Sequence, residues 1–399
     1  MTAVSSASEP LGTGRIHPAA SLLDPTLAAL VRGHRRRVLG GAFPLTPAEL
    51  EAFLPEGPLH ASPMESASPW YLILGDGDPI LASGSGQVIA GDLPALAEAR
   101  AFAGRATGRT VVAGELVVRH AHEPVGAILA QGAAAPTGKL DFVGNDLLFG
   151  GDSEARMPLG TFGDRLPVLG RLLHGGDHTR IARVDSVAGP GAVAGLYREL
   201  VETGKARGLY LRTASTGRLF RVTAPLHLVA VVVGYTERAA GVGQVSSLLL
   251  ALGRGPGQWQ ILGLCSHLGD EATRHKLHTA LAKLEAPSIY RHPGHGGELV
   301  RFVRPELRVE IRATDAASED ASGRKLRSMV LSFDGQAYSP VAPAASAHLA
   351  GPALVRVLTA AQAKKAGTGL VQLADRVWID GHEREIVRRL RQSHSGYRE

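Results

Sequence analysis

The sequence predicts an α+β protein built largely on antiparallel sheet. Short β-type runs are separated by Gly-rich turns, helical stretches are interspersed without strict alternation, and 399 residues suffice for two or three domains of roughly 100–200 residues each. A composition of 44% hydrophobic and 20% charged residues excludes a disordered polymer. The longest apolar runs, 226–233 and 245–252, fall well short of the ~18 residues a membrane helix needs, so a soluble chain with no membrane partner is expected. Cys265 stands alone, which excludes an internal disulfide or a cysteine-based metal site and fits a reducing cytoplasm. The formal charge of +6 permits a polyanionic partner without demanding one.

Residues 1–18, rich in Ser, Ala and Gly, lack the basic stretch and apolar core of a signal peptide and read as a loose tail. Residues 70–74, the turn Gly75-Asp76-Gly77-Asp78 and residues 79–82 read as a hairpin, because Asp-Gly supplies the positive φ that tight turns need. A helix is expected over 93–102 with Asp92 as N-cap, then a strand over 110–118. Helical spacing recurs over 159–173 and 192–203, and strands follow at 208–212, 219–224 and 226–235. The histidine in Leu226-His227-Leu228 reads as a core residue of an apolar strand.

Residues 236–243 carry no strong period and small side chains, which places a domain boundary near 238. Strands are then expected at 245–252, 259–264, 299–303, 307–313 and 327–333, with one helix at 270–284. That pattern suits a small closed barrel of the OB type, and a sandwich fits it nearly as well. The Ala-, Ser- and Pro-rich stretch 338–352 reads as a linker. The expected division is a tail and basic helical segment at 1–54, a first domain at 55–238, a barrel domain at 239–380 and a basic helix or tail at 381–399.

Four strings carry a resemblance: Gly114-Glu115-Leu116-Val117, Asn145-Asp146-Leu147-Leu148-Phe149-Gly150-Gly151, Gly208-Leu209-Tyr210-Leu211-Arg212 and Val231-Val232-Val233-Gly234-Tyr235. In this order and spacing they resemble the motifs of ATP-dependent DNA ligases, within the nucleotidyltransferase superfamily. The resemblance spans roughly residues 55–375. It implies a nucleotidyltransferase (ligase adenylation-like) domain with antiparallel sheets, followed by the OB-like barrel. It also implies a chemistry: a lysine in a K-x-D-G-x-R motif attacks the α-phosphate of ATP, acidic residues hold metal or ribose, an aromatic ring stacks on adenine, and two late lysines neutralise phosphate.

At the matching positions this chain has other residues. The lysine position, 19 residues before Ser83, is Met64, with Ser66 in place of the motif's aspartate and Pro69 in place of its arginine. Aligning the motif on Asp76-Gly77 instead puts Leu74 there. Glu115 survives, 51 positions beyond Met64, but Asn145 stands where the stacking aromatic belongs, Arg207 replaces the late glutamate, and Arg221 and Thr223 replace the two lysines. A thioether cannot form a phosphoramidate, and Arg207 repels a divalent cation. Without its partners, Glu115 also reads as an ordinary strand-end carboxylate bonded to backbone.

Basic residues gather at 32–37, including Arg35, Arg36 and Arg37, and at 382–391, where Arg384, Arg388 and Arg391 recur at helical spacing. With Arg221 and Arg356 they are candidate phosphate contacts, although solvated helix faces interleaved with Glu383 and Glu385 explain the second group equally well. Aromatics make up 5% and are not interleaved with the basic residues, which disfavours a single-strand stacking platform. His292 and His295 read as exposed histidines of a turn, not metal ligands.

The resulting expectation is a ligase-like protein that has lost self-adenylylation and serves as a nucleic-acid-binding or scaffold component in nucleic-acid repair. Its partners are nicked or duplex nucleic acid and an active ligase or end-processing enzyme, with no cofactor and no metal. Two alternatives stand beside it: an active polynucleotide ligase with a non-standard site, using ATP and Mg2+ and a lysine such as Lys139 or Lys205, or a pure protein scaffold for an active ligase.

Overall fold

The computed structural model describes residues 4–65, 69–75, 77–106, 108–119, 124–150, 160–238, 243–374 and 376–379. They form two compact units, one running through Ala224 and including Glu319–Arg324, the other beginning at Pro225.

The first unit contains two sheets. The larger has the strand order Glu9–Leu11, Gly14–His17, Val88–Gly91, Ile80–Ser83, Pro69–Leu74, Thr110–Val118, Leu140–Gly150, Thr179–Ile181. All neighbours are antiparallel except the last pair. Strand Pro69–Leu74 is apolar throughout because both its faces are covered. Trp70, Leu72 and Leu74 join a core with Leu96 and Ala99 of helix Pro94–Ala103 and Leu169 and Leu172 of helix Phe162–Leu172. Tyr71 and Ile73, on the opposite face, pack with Leu27 and Val31 of helix Pro25–His34.

The expected hairpin is the pair Pro69–Leu74 and Ile80–Ser83, and the strand expected over 110–118 is present with those bounds. Two expectations are corrected. Residues 9–17 are an edge hairpin rather than a loose tail, with Leu11 fully buried; strands of three and four residues carry too little alternation to register in sequence. Asp92 does not cap the helix that follows; Leu93 occupies the N-cap position, and Asp92 pairs with Arg100 at 3.2 Å.

The second sheet of this unit has the order Asp185–Ala188, Pro58–Met64, Gly208–Thr213, Leu219–Thr223, Phe43–Leu45. Its alternation is strict. Leu59, Ala61, Leu209, Leu211, Phe220 and Val222 point to a core shared with Val193, Leu196 and Tyr197 of helix Gly189–Tyr197. The opposite face carries His60, Ser62 and Met64, then Gly208, Tyr210 and Arg212, then Arg221 and Thr223, aligned across the strands by the register.

In the second unit the described strands form a path in the order Tyr338–Ala345, Arg327–Phe333, Gln258–Cys265, Val245–Gly255, Leu226–Glu237, Arg308–Ala313, Ala353–Val357; Arg301–Phe302 pairs with Leu226–Glu237 off this path. Asp315–Ala317 and His348–Ala350 form a separate two-stranded ribbon. Helix Glu271–Leu281, capped by Asp270, buries Leu277 and Leu281 in the core and sends Arg274 to the carbonyls of Val245, Ser246 and Ser266.

The α+β class and the antiparallel pairing are as expected, but the described strands do not close into a barrel. Pro340 and Pro343 of the end strand Tyr338–Ala345 have no N–H to donate, which suits that strand to an edge. The same segment corrects the linker expected at 338–352: small residues and prolines hid two strands there. His227 is also corrected. Its side chain is 52% exposed, because Leu226 and Leu228 take the inward positions of the alternation. Among the described residues no helix is long and apolar enough to cross a membrane.

Candidate functional site

The polar face of the five-stranded sheet holds Met64, to which the sequence resemblance assigns the place of a nucleophile. Met64 ends strand Pro58–Met64 and is 4% exposed, packed with Ala42, Tyr210 and Leu219. Its carbonyl accepts the Arg207 N–H at 2.9 Å. Opposite Met64 in the register is Gly208, and only glycine fits there: a Cβ would lie 2.5 Å from the Val222 carbonyl oxygen and 2.9 Å from the Met64 methyl. The Met64 thioether is therefore a core group of this face.

Glu115, the surviving acid, is 4% exposed. Its Oε1 accepts the Tyr210 hydroxyl at 3.0 Å, and its Oε2 accepts the Glu65 N–H at 2.9 Å. Asn145 sits at a β-bulge of strand Leu140–Gly150: Gly144 pairs with Gly114 and Asp146 with Ala113, which leaves Asn145 as the extra residue. Arg207 precedes strand Gly208–Thr213, half-buried; Arg221 stands across from Tyr210 and Thr223 across from Gly208. Ser66 lies outside the described residues. The structure thus brings Met64, Glu115, Arg221 and Thr223 around Tyr210 and Gly208.

The strongest electrostatic feature lies beside these residues. Asp146, 2% exposed, receives Arg165 in bidentate fashion at 2.7 and 3.1 Å and Arg212 at 3.0 Å. Burial lowers the Arg212 pKa from its ordinary value, against the Asp146 carboxylate that raises it. The Arg212 guanidinium lies 4.3 Å from the centre of the Phe162 ring, which also packs against the His60 imidazole at 5.4 Å. His34, at the end of helix Pro25–His34, pairs its Nδ1 with the Tyr71 hydroxyl at 3.1 Å, and burial pushes its pKa down to about 4. Sequence reasoning passed over this cluster. Asp146 and Arg212 lie inside two of the quoted motif strings, but His34, His60, Phe162 and Arg165 join them only through the fold.

The donor set does not fit nucleotide activation with a divalent cation. Where the sequence resemblance assigns an amine, an acid and a ligating carboxylate, the structure has the buried thioether of Met64, Arg207, and the Glu115 carboxylate that accepts from Tyr210 and Glu65. Among the described residues no group of three or more His, Cys, Asp and Glu gathers to hold a metal ion. Lys139 and Lys205 are exposed.

The candidate phosphate contacts separate. Arg36 and Arg37 are exposed on the wide helical turn Arg35–Leu39. Arg35 is turned inward, 11% exposed, and donates to Glu319 at 2.9 Å, so its guanidinium is engaged by a carboxylate rather than presented to phosphate. Arg356 is exposed but paired with Glu310 at 2.6 Å. Arg384, Arg388 and Arg391 lie outside the described residues.

The fold is similar to ATP-dependent DNA ligase domains. The ligase domain of M. tuberculosis LigD matches at 19% identity and a TM-score of 0.36, over 75% of this chain and 93% of that one. A Lig E DNA ligase matches at 12% identity and 0.39, over 79% and 99%. The bacteriophage T7 ATP-dependent DNA ligase, solved with ATP, matches at 9% and 0.33, over 81% and 100%. No family model and no curated protein matches the chain.

Proposed function

We propose that this chain is a ligase-like nucleotidyltransferase relative that does not self-adenylylate and that binds nicked or duplex nucleic acid through exposed arginines, as a component of cytoplasmic nucleic-acid repair. The observation that carries the reading is Met64. It occupies the position of the attacking lysine, buried against Tyr210 and facing Gly208, and offers no group able to bond to phosphorus. Arg207 in place of an acid and the engaged Glu115 carboxylate support the same conclusion. The binding half of the proposal is supported by the net charge of +6 and by the exposed Arg36 and Arg37. The structures it resembles include ligases solved with ATP and studied for DNA binding.

Two measurements test it. Intact-mass spectrometry after incubation with ATP and Mg2+ is expected to find no lysine-linked AMP; a stable adduct overturns the first half. Binding to a nicked duplex is expected to weaken steeply with salt, with a log–log slope that shrinks when Arg36 and Arg37 are replaced by Ala. Undetectable binding at low salt overturns the second half.

A further inference from the structure

We propose that the end of the five-stranded sheet where His60 and Arg212 stand opposite one another, beneath the first turn of helix Phe162–Leu172, is a binding site for a phosphate-type oxyanion. Four observations converge there. First, the guanidiniums of Arg165 and Arg212 converge on the carboxylate of Asp146, and the Asp164 carboxylate, tied to Thr161, acts on Arg165 from the helix end. Second, Arg212 gives only Nη1 to Asp146, so Nε and Nη2 have no acceptor among the described residues.

Third, two imidazoles of this cluster hold buried nitrogens without partners, Nδ1 of His60 and Nε2 of His34. His34 Nδ1 already engages the Tyr71 hydroxyl, and a neutral ring that accepts from that hydroxyl carries its proton on Nε2, an unsatisfied donor. Fourth, helix Phe162–Leu172 begins at the cluster. Its first residue, Phe162, stacks on both His60 and Arg212, and a Cβ on Gly163 would lie 3.8 Å from His60 Nε2. In the helix's first turn the Asp164 N–H is taken by Thr161 and the Asp164 carboxylate accepts the Thr161 N–H, so the turn contributes the amides of Phe162 and Gly163. Spare guanidinium protons, imidazole nitrogens and a helix N-terminus together make a donor set for an oxyanion of the phosphate class, whereas a cation meets two arginines. The Asp146 and Asp164 carboxylates oppose the anion, and the two arginines offset them.

This site requires neither adenylylation nor nucleic-acid binding, so failure of the proposed function leaves it standing. The test is titration of the full chain with inorganic phosphate at constant ionic strength, with chloride as control, read by melting temperature and calorimetry. A saturable rise in melting temperature is expected with phosphate and not with chloride. Arg212→Met and His60→Phe, the second retaining a ring against Phe162, are each expected to weaken phosphate binding about tenfold or more. Where Arg212→Met does not fold, His60→Phe decides. A rise that never saturates, or one unchanged in His60→Phe, overturns the proposal. Competition by a short oligonucleotide with a terminal phosphate, by one with phosphodiesters only, or by neither then assigns the oxyanion to a chain end, a backbone or the free ion.

Discussion

Tyr210 donates its hydroxyl hydrogen to Glu115 Oε1 across 3.0 Å, and both side chains are buried. The two residues come from different sheets of the first unit, Glu115 from Thr110–Val118 and Tyr210 from Gly208–Thr213, so the bond ties the sheets together. A carboxylate that the resemblance assigns to ligand chemistry has become part of the packing.

Removing that hydroxyl tests the tie. Tyr210→Phe keeps the ring against Met64, Ala42 and Leu219 and withdraws one hydrogen bond from the buried Glu115 carboxylate. Its expected cost is about 1–3 kcal/mol of stability, measured by urea denaturation of the full chain. A variant as stable as the parent sinks the role assigned to this bond.

Much of the fold was legible because the strands that matter are long and alternate. Thr110–Val118 stands out by its apolar run, and Gly208–Thr213 by its position before an equally regular partner. The edge elements were not legible. Residues 9–17 form strands too short to show a period, and Pro340 and Pro343 disguise a strand whose outer edge needs no N–H. Of the site, the sequence singled out Met64, Glu115, Arg221 and Thr223, and the structure gathers these around Tyr210 and Gly208. The Asp146 cluster was not legible, because His34, His60, Arg165 and Arg212 are spread over nearly 180 positions and meet only through two sheets and two helices.

His34 sets a pH dependence. Burial lowers its pKa from 6.5 to about 4, so the folded state prefers the neutral ring while the unfolded chain takes up a proton near pH 6.5. The stabilisation is fully present above pH 6.5 and is lost progressively as pH falls towards 4. It amounts to about 3 kcal/mol at most. Urea midpoints measured between pH 7 and pH 4 are expected to fall less steeply in His34→Gln than in the parent. Parallel slopes contradict a buried neutral His34.

Asp146 is the common carboxylate partner of two arginines, and its removal takes that partner from both, leaving Arg165 its bond to the Gly160 carbonyl. Asp146→Asn keeps the shape but withdraws the charge from Arg165 and Arg212, with an expected cost of about 3–5 kcal/mol. Replacing all three groups by apolar residues of similar volume is expected to recover most of that loss. Denaturation of the single and triple variants separates the two cases; a triple variant no more stable than Asp146→Asn refutes this account of the cluster.

Restoring a lysine is the sharpest test of the site as a whole. Met64→Lys places an amine in a position that is 4% exposed and packed against Tyr210, where the nearest surviving acid, Glu115, is already held by Tyr210 and Glu65. Desolvation of the ammonium disfavours the folded state by several kcal/mol. On the proposed reading the amine also lacks its working surroundings, with Arg207 and Thr223 at the positions to which the resemblance assigns an acid and a lysine. The expected result is a less stable protein that still forms no adenylate with ATP and Mg2+ by intact-mass analysis. Gly208→Ala is expected to destabilise by about 1–3 kcal/mol as well, and adding Met64→Ala is not expected to rescue it, because the Val222 carbonyl oxygen 2.5 Å away is backbone and cannot move aside. Adenylate formation by Met64→Lys alone overturns the view that the pocket has been rebuilt as core, since it means that one side chain was all that had changed.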